Sequence, residues 1–446
     1  MISDACYVRL PISARVLCPH LDLSNLSGAD FRMVQLHQAV LSLLLSPFSQ
    51  QPFRALDSSS SAGGKSVAII GAGSAGLAAL KTFLDLPRET RGDWDIVLFE
   101  QRRDVGGIWL PDPHPAAPPN LPETPLYPQL RTNTPVPAMT YPGFLFPPNT
   151  PLFPQHDRIK QYHEDYASHF NLFPHIRFNH SVTYHSVRGA GEAAQGAIAK
   201  PEISHFTHSE VVFVDGTVLA DVDTVLLGTG YELRMPFLER GHALQVDRSA
   251  HSNTTYTQGL VTNTRYLFPV HRHIFSLCPN HPVDALAFIG LPLYVSNCPS
   301  DIAQSLYAAH VIANPGILPS RKALLKELAL EEERLRSLGL DPYHIGHRIL
   351  PRDNGTQWDY QDKLVADLKQ QGAIPEDGKP FVEKWRREPR PCLRRGWKRV
   401  ESLGTEAEWL DGVESEGDWA GMMNRLNRWQ CDWEEERGEV YPQELV

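Results

Sequence analysis

The segment that most constrains this chain is residues 65–76, Lys-Ser-Val-Ala-Ile-Ile-Gly-Ala-Gly-Ser-Ala-Gly. The apolar run 67–70 predicts a short, fully buried parallel strand. Gly71, Gly73 and Gly76 then give G-x-G-x-x-G spacing, with Ala72, Ser74 and Ala75 between them. Residues 75–86 predict a helix with Leu77, Leu80 and Leu84 on one face. The first glycine allows a tight turn, the second lets backbone approach a pyrophosphate, and the third lets helix pack on strand. The helix N-terminus turns its positive dipole end to the phosphates. A second apolar run, 96–99, ends in Glu100, near the distance at which an acid holds a ribose hydroxyl. Strand, turn, helix, strand and terminal acid in this order predict an α/β fold. It is a doubly wound, Rossmann-like parallel-sheet domain that binds a dinucleotide.

Composition narrows the class. The chain has 446 residues, enough for two or three domains, with ordinary globular hydrophobic content. With a net charge of −10, nothing argues for nucleic acid or an anionic membrane as partner. Cys6, Cys18, Cys278, Cys298, Cys392 and Cys431 form no C-x-x-C pair, and their scatter predicts a reducing, cytoplasmic setting. The most apolar stretch, 33–48, is too short and too polar to span a membrane.

Residues 1–64 read as a poorly structured extension ending in a Ser/Gly linker at 58–64. After Glu100 come Gly106-Gly107-Ile108-Trp109 and a proline-rich run, 111–154, that excludes continuous helix. Residues 158–170 return to helical spacing, with Ile159, Tyr162, Tyr166 and Phe170 on one face, and 176–187 read as extended. Residues 211–231 predict a hairpin turning at Asp215-Gly216 and feeding a buried strand, 223–227. A further strand is expected at 286–290, and helices at 301–313, 320–338 and 406–433.

The ordered motifs resemble the flavin-containing monooxygenases, most closely fungal members. The likeness rests on the glycine turn, Glu100, Gly106-Gly107-Ile108-Trp109, Leu130-Arg-Thr-Asn-Thr-Pro135, Tyr141-Pro142, Phe178-Asn179, Asp223-x-Val225 leading to Thr229-Gly230-Tyr231, and the segments at 286–292 and 299–304. It covers about residues 65–371. The resemblance implies FAD, with residues 71–76 on its pyrophosphate, Glu100 on the ribose, Gly107, Ile108 and Trp109 along the flavin, and Thr132 and Asn133 at its edge. Asn133 is the implied catalytic residue, holding the oxygenated flavin and the nicotinamide. The implied activity is of the N,N-dimethylaniline monooxygenase type. NADPH reduces the flavin, and a flavin hydroperoxide passes one oxygen atom from O2 to a nitrogen or sulfur nucleophile.

The family's NADPH-binding domain is normally inserted between the strand at 176–187 and the hairpin. Here residues 188–210 occupy that place, too few for a βαβ unit. The expected organisation is a FAD domain in two parts, 65–188 and 209–345, a junction at 189–208, and a helical or irregular region at 346–446. The Thr-Gly strand and 286–290 then become strands four and five of the FAD sheet. Four readings stay open: an active NADPH-using monooxygenase, a FAD-binding module without that activity, a sequence lacking a coding segment near 188–210, or a FAD oxidase or reductase fed by another donor.

Other clusters read as structural. The Gly-rich run 189–196 lacks the helix and acid-ended strand a nucleotide turn needs, and 251–256 reads as loop. His271, His273, Cys278 and His281 fit no zinc spacing. Arg394, Arg395, Lys398 and Arg399 around Trp397 read as a solvated face or a contact with the acidic tail. Asp301 and Gln304 are expected to open a helix aimed at the flavin, or to cap it.

Overall fold

The computed structural model describes residues 65–115, 124, 126–179, 203–206, 211–213, 216–219, 232–233, 235, 238–239, 243–251, 259–350 and 357–438. Strand β1 (Ser66–Ile70) leads through the glycine turn into helix α1 (Ser74–Asp85), and strand β2 (Asp95–Phe99) returns parallel to β1. Helix α2 (His156–His169) and strand β3 (Ile176–Arg177) follow, and β3 joins the far side of β2 in parallel. The sheet order is β1-β2-β3. Parallel strands joined by helical crossovers make this the expected α/β dinucleotide fold.

One expectation about this sheet is corrected. No residue of β1 is fully buried. Its Val67 and Ile69 are only partly buried, packed against the core cluster that holds the α1 leucines. Leu77 and Leu80 are wholly buried beneath the strand.

Strands β4 (Ile203–Phe206), β5 (Val211–Phe213) and β6 (Val218–Leu219) form an antiparallel meander. Gly216, at φ +80°, sits in the turn that Asp215-Gly216 announced. The strand expected at 223–227, its Thr-Gly end, the stretch 189–196 and residues 1–64 lie outside the described residues. A mixed sheet follows, in which β7 (Leu244–Val246) runs parallel to β8 (Leu260–Thr262), and β9 (Leu267–Phe268) antiparallel to β8. Strand β10 (Val270–His271) pairs with β11 (Phe275–Ser276).

The segment 286–290 is not a fifth strand of the parallel sheet. It makes a single antiparallel bridge, Ala287 to Phe275, and Phe288 N–H donates to Ile274 O at 2.8 Å. Helix α3 begins at Asn297 and runs to Ala313, earlier than expected, and packs along α1. Helix α4 (Arg321–Ser337) is N-capped by the Ser320 hydroxyl. Helices α5 (Gln357–Gln370), α6 (Leu393–Leu403) and α7 (Glu416–Glu436) follow.

The last two helices belong to the nucleotide domain's own core. Trp397, Val400, Trp419, Met422 and Leu426 share one buried cluster with Leu77, Leu80, Leu98 and Tyr162. Cys392 and Cys431 form a disulfide, contrary to the unpaired scatter read from the sequence, while Cys278 and Cys298 are buried thiols outside any disulfide. Sequence separation hid the pair: α6 and α7 pack side by side and bring positions 39 apart together. Of the two readings of the basic cluster on α6, the contact with the acidic tail holds for Arg395, which makes a two-point ion pair with Glu434 at 2.8 and 2.9 Å. Arg399 stacks on Trp429 and Trp433.

Candidate flavin-binding site

The site is built mostly from backbone. Gly71, at φ +94°, turns the chain out of β1, and its N–H donates to Phe99 O at 2.8 Å. Gly73 is the N-cap of α1. The first intrahelical bond of that helix runs from Leu77 N–H to Gly73 O, so the amides of Ser74, Ala75 and Gly76 lie ahead of the ladder. Those amides and the helix dipole make an anion site. A Cβ on Gly76 would stand 1.7 Å from the Gly71 carbonyl oxygen. The third glycine is therefore required by the turn itself, more than by packing of helix on strand.

The G-G-x-W motif locks onto this turn. Gly106 N–H donates to Ala72 O at 2.9 Å, and a Cβ on Gly107 would lie 2.9 Å from Gly73 Cα. Both glycines hold positive φ, +118° and +53°, which side chains rarely adopt. Two motifs more than thirty residues apart are thus one interlocked surface of main chain. Ile108 and Trp109 leave it on a short 3-10 turn, with Trp109 buried and Ile108 half-buried.

Glu100 lies buried at the end of β2. Its two carboxylate oxygens accept from Ala72 N–H at 2.6 Å and Arg102 N–H at 2.7 Å. Burial pushes its carboxyl above the ordinary carboxylate range, and the amide donors pull against that shift. Each oxygen keeps a further acceptor site for a hydroxyl. Glu100 thus braces the glycine turn from beneath while presenting a carboxylate beside it.

Thr132 and Asn133 follow a bridge between Arg131 and Gln155. Thr132 N–H donates to Pro154 O, and its hydroxyl is buried without a partner. Asn133 is exposed. The loop is tied back to the glycine turn by Tyr141, which is fully buried and donates its phenol proton to Ser74 O at 2.8 Å. Tyr141 N–H in turn donates to the Tyr162 oxygen, and Tyr162 donates to Phe144 O. In the sequence Tyr141 stands in a Tyr-Pro motif with no task of its own. Its place between the loop and α1 is visible only in three dimensions.

Asp301 does not cap α3. It lies past the first turn, buried, and accepts a 2.6 Å hydrogen bond from the Ser74 hydroxyl. Gln304 accepts from Gly290 N–H and donates to Ser300, fastening 286–290 to α3. His163 lines a small cavity with Ser74, Trp109 and Cys298. Neither ring nitrogen has a hydrogen-bond partner, and burial lowers its pKa to about 4, only partly offset by the nearby Ile159 carbonyl.

The histidines of 271–281 do not converge. His347 Nε2 accepts from Leu267 N–H, so its proton sits on Nδ1 and is donated to His273 Nδ1 at 2.9 Å. Among the described residues no group of three or more His, Cys, Asp or Glu side chains is placed to hold a metal. Nor is any helix there long and apolar enough to cross a membrane.

The profile of the flavin-binding monooxygenase-like family matches residues 64–197 and 191–345. The chain belongs to that family. As an oxygenase of this kind it acts on a small molecule and O2. Flavin-containing monooxygenase FMO GS-OX4 of Arabidopsis thaliana is 25% identical over 459 residues, covering 77% of this chain and 89% of that protein. A putative flavin-containing monooxygenase of the same plant, FMO GS-OX-like 11, is 34% identical over 145 residues, 29% of this chain and 82% of its own length. The structure of S-allyl-L-cysteine S-oxygenase from Allium sativum superposes with a TM-score of 0.55 at 18% identity. It covers 82% of this chain and 99% of that one, a likeness of fold. The glycine turn, Glu100, the G-G-x-W turn and the 132–133 loop of this flavin monooxygenase all fall within the matched span.

Proposed function

We propose that this flavin monooxygenase binds FAD on the surface formed by the two glycine motifs. It takes reducing equivalents from NADPH and places one oxygen atom of O2 on a nitrogen or sulfur nucleophile. The observation that carries the reading is the interlock of the two motifs, Gly106 N–H on Ala72 O and Gly107 against Gly73, with the Glu100 carboxylate beneath. That surface suits a long, flat, anionic cofactor, because side chains are absent where it must lie close. The amides of Ser74, Ala75 and Gly76 would take the pyrophosphate, and Glu100 a ribose hydroxyl. Gly107, Ile108 and Trp109 would lie along the ring system. The buried Thr132 hydroxyl has a proton and lone pairs to offer a ring edge, which answers its lack of a partner. Asn133, exposed beside it, would be the catalytic amide, donating and accepting at the reacting edge. When bound, the flavin supplies the redox and oxygen chemistry; the chain supplies orientation and exclusion of water.

A second reading, a FAD-binding module that NADPH does not reduce, is favoured by two observations. In the interval where relatives of the family carry a second nucleotide domain, β4 pairs antiparallel with β5 as part of the meander. The alignment with FMO GS-OX4, at 459 positions, is also longer than the 446-residue chain and so opens gaps in it. Anaerobic titration with NADPH separates the readings. Bleaching of the bound flavin supports the monooxygenase. A yellow protein that does not bleach leaves the binding module.

A further inference from the structure

We infer that Arg386, outside the span matched by the family profile, is a positioning residue that sets the geometry of the 131–140 loop, and that the C-terminal region serves as the brace of this loop. The inference rests on the reading of Thr132 and Asn133 as the flavin edge. Arg386 lies on a short 3-10 turn, and its side chain is 0% exposed. Its Nη1 donates to Pro137 O at 2.6 Å and its Nη2 to Thr140 Oγ1 at 3.0 Å. These acceptors belong to the turn Val136–Met139 and the residue that ends it. The carbonyls of so short a helix have almost no main-chain partners within it, and Arg386 donates to one of them, the Pro137 carbonyl, which also accepts from the Thr140 hydroxyl at 2.9 Å.

The charge is matched from its own side. Glu383 accepts from Nε at 2.7 Å, and Glu416, at the start of α7, lies 3.4 Å from Nη2. A rigid fork that can address four acceptors in different directions is a property of guanidinium and not of an ammonium. The other end of the loop is held from the same region: Arg131 pairs with Glu401 of α6 at 2.9 Å. Beyond the Thr132 N–H bond to Pro154 O, Thr132 and Asn133 are therefore flanked by two contacts made by residues after 380. The area that fastens the C-terminal helices to the core comes from Trp397, Trp419 and Met422. Arg386 adds direction to that attachment, which is why it acts on the loop and not only on stability.

The test is FAD titration of apoprotein from the full chain and from Arg386→Met. It is joined by iodide quenching of bound-flavin fluorescence and by the urea midpoint. The expected result is a FAD Kd raised about tenfold in a folded variant, with bound flavin more open to iodide. Arg386→Lys, which keeps charge but loses the fork, should fall between the two. An unchanged Kd and unchanged quenching in folded Arg386→Met would overturn the inference. Should that variant fail to fold, Thr140→Val decides, because it deletes one of the two loop-side acceptors, together with the hydroxyl's own bond to Pro137 O, and leaves the glutamates paired. It should weaken FAD in the same direction, and wild-type affinity and quenching in it would overturn the inference. A wild-type chain that takes up no FAD would remove the underlying reading and the inference with it.

Discussion

The glycine cradle and the C-terminal brace hold the same site by different means. The cradle is main chain against main chain: Gly106 N–H on Ala72 O, Gly107 against Gly73, and Gly76 against the Gly71 carbonyl. Its side chains matter chiefly by their absence. The brace is side chain against everything: a buried guanidinium, two-point ion pairs, indoles and a disulfide. A main-chain surface tolerates no added atom, so its failures should be abrupt. A side-chain brace has several partners in parallel, so its failures should be graded.

The sharpest break of that contrast is Gly76→Ala. One methyl at 1.7 Å from a carbonyl oxygen forces the turn apart, and overpacking of this kind costs about 3 kcal/mol or more. Soluble yield and flavin content should both collapse. A flavin-loaded, stable Gly76→Ala protein would mean that the turn is softer than this account holds.

On the brace, the double change Cys392→Ser, Cys431→Ser should lower the urea-unfolding free energy by ~2–4 kcal/mol, the usual effect of opening a loop of this size. Flavin affinity of the folded fraction should change little, because Arg386 and Glu401 keep their contacts. A loss of flavin equal to the loss of stability would show the brace to be all-or-none as well.

Acid should weaken the fold through its buried histidines. Burial holds His163 and His273 at about 4 and His271 at about 3, against 6.5 for an exposed histidine. The unfolded chain therefore binds more protons between those values. Stability is full above pH 6.5 and is lost as pH falls from 6.5 toward about 4. Urea midpoints across that range should decline, and His163→Leu should flatten the slope. A midpoint that stays level from pH 7 to 5 would contradict the neutral, buried state of these rings.

The smallest expected effect is at the rim. Arg131 is about half exposed in its pair with Glu401, and such pairs give ~0.2–1 kcal/mol. Glu401→Gln keeps an acceptor for the Trp397 indole, and its flavin affinity should fall less than twofold to threefold.

The same contrast explains what could be read from the sequence. A main-chain surface must leave glycines at fixed spacing, so the turn, Glu100 and the G-G-x-W motif were legible, as were α1 and α2 from their periodic leucines and tyrosines. The depth of β1 differs from expectation because an apolar run does not say how much of a strand its neighbours cover. The segment 286–290 went astray for a related reason: its run is too short to tell sheet pairing from a single bridge. Arg386, Asp301, Tyr141 and the Cys392–Cys431 pair left no periodic trace. Their partners lie from tens of residues to more than two hundred away, and only packing brings them together.

The most direct test of the cradle is FAD titration of the apoprotein beside Gly107→Ala, followed by the absorbance of bound flavin. Position 107 has φ +53° and an added Cβ there would lie 2.9 Å from Gly73 Cα, so the methyl strains the interlock of the two turns that forms the proposed cofactor surface. The account predicts saturable binding of one FAD per wild-type chain, and at least tenfold weaker binding in the folded variant. Equal affinity in the two, or no uptake of FAD by the wild-type chain, would contradict it.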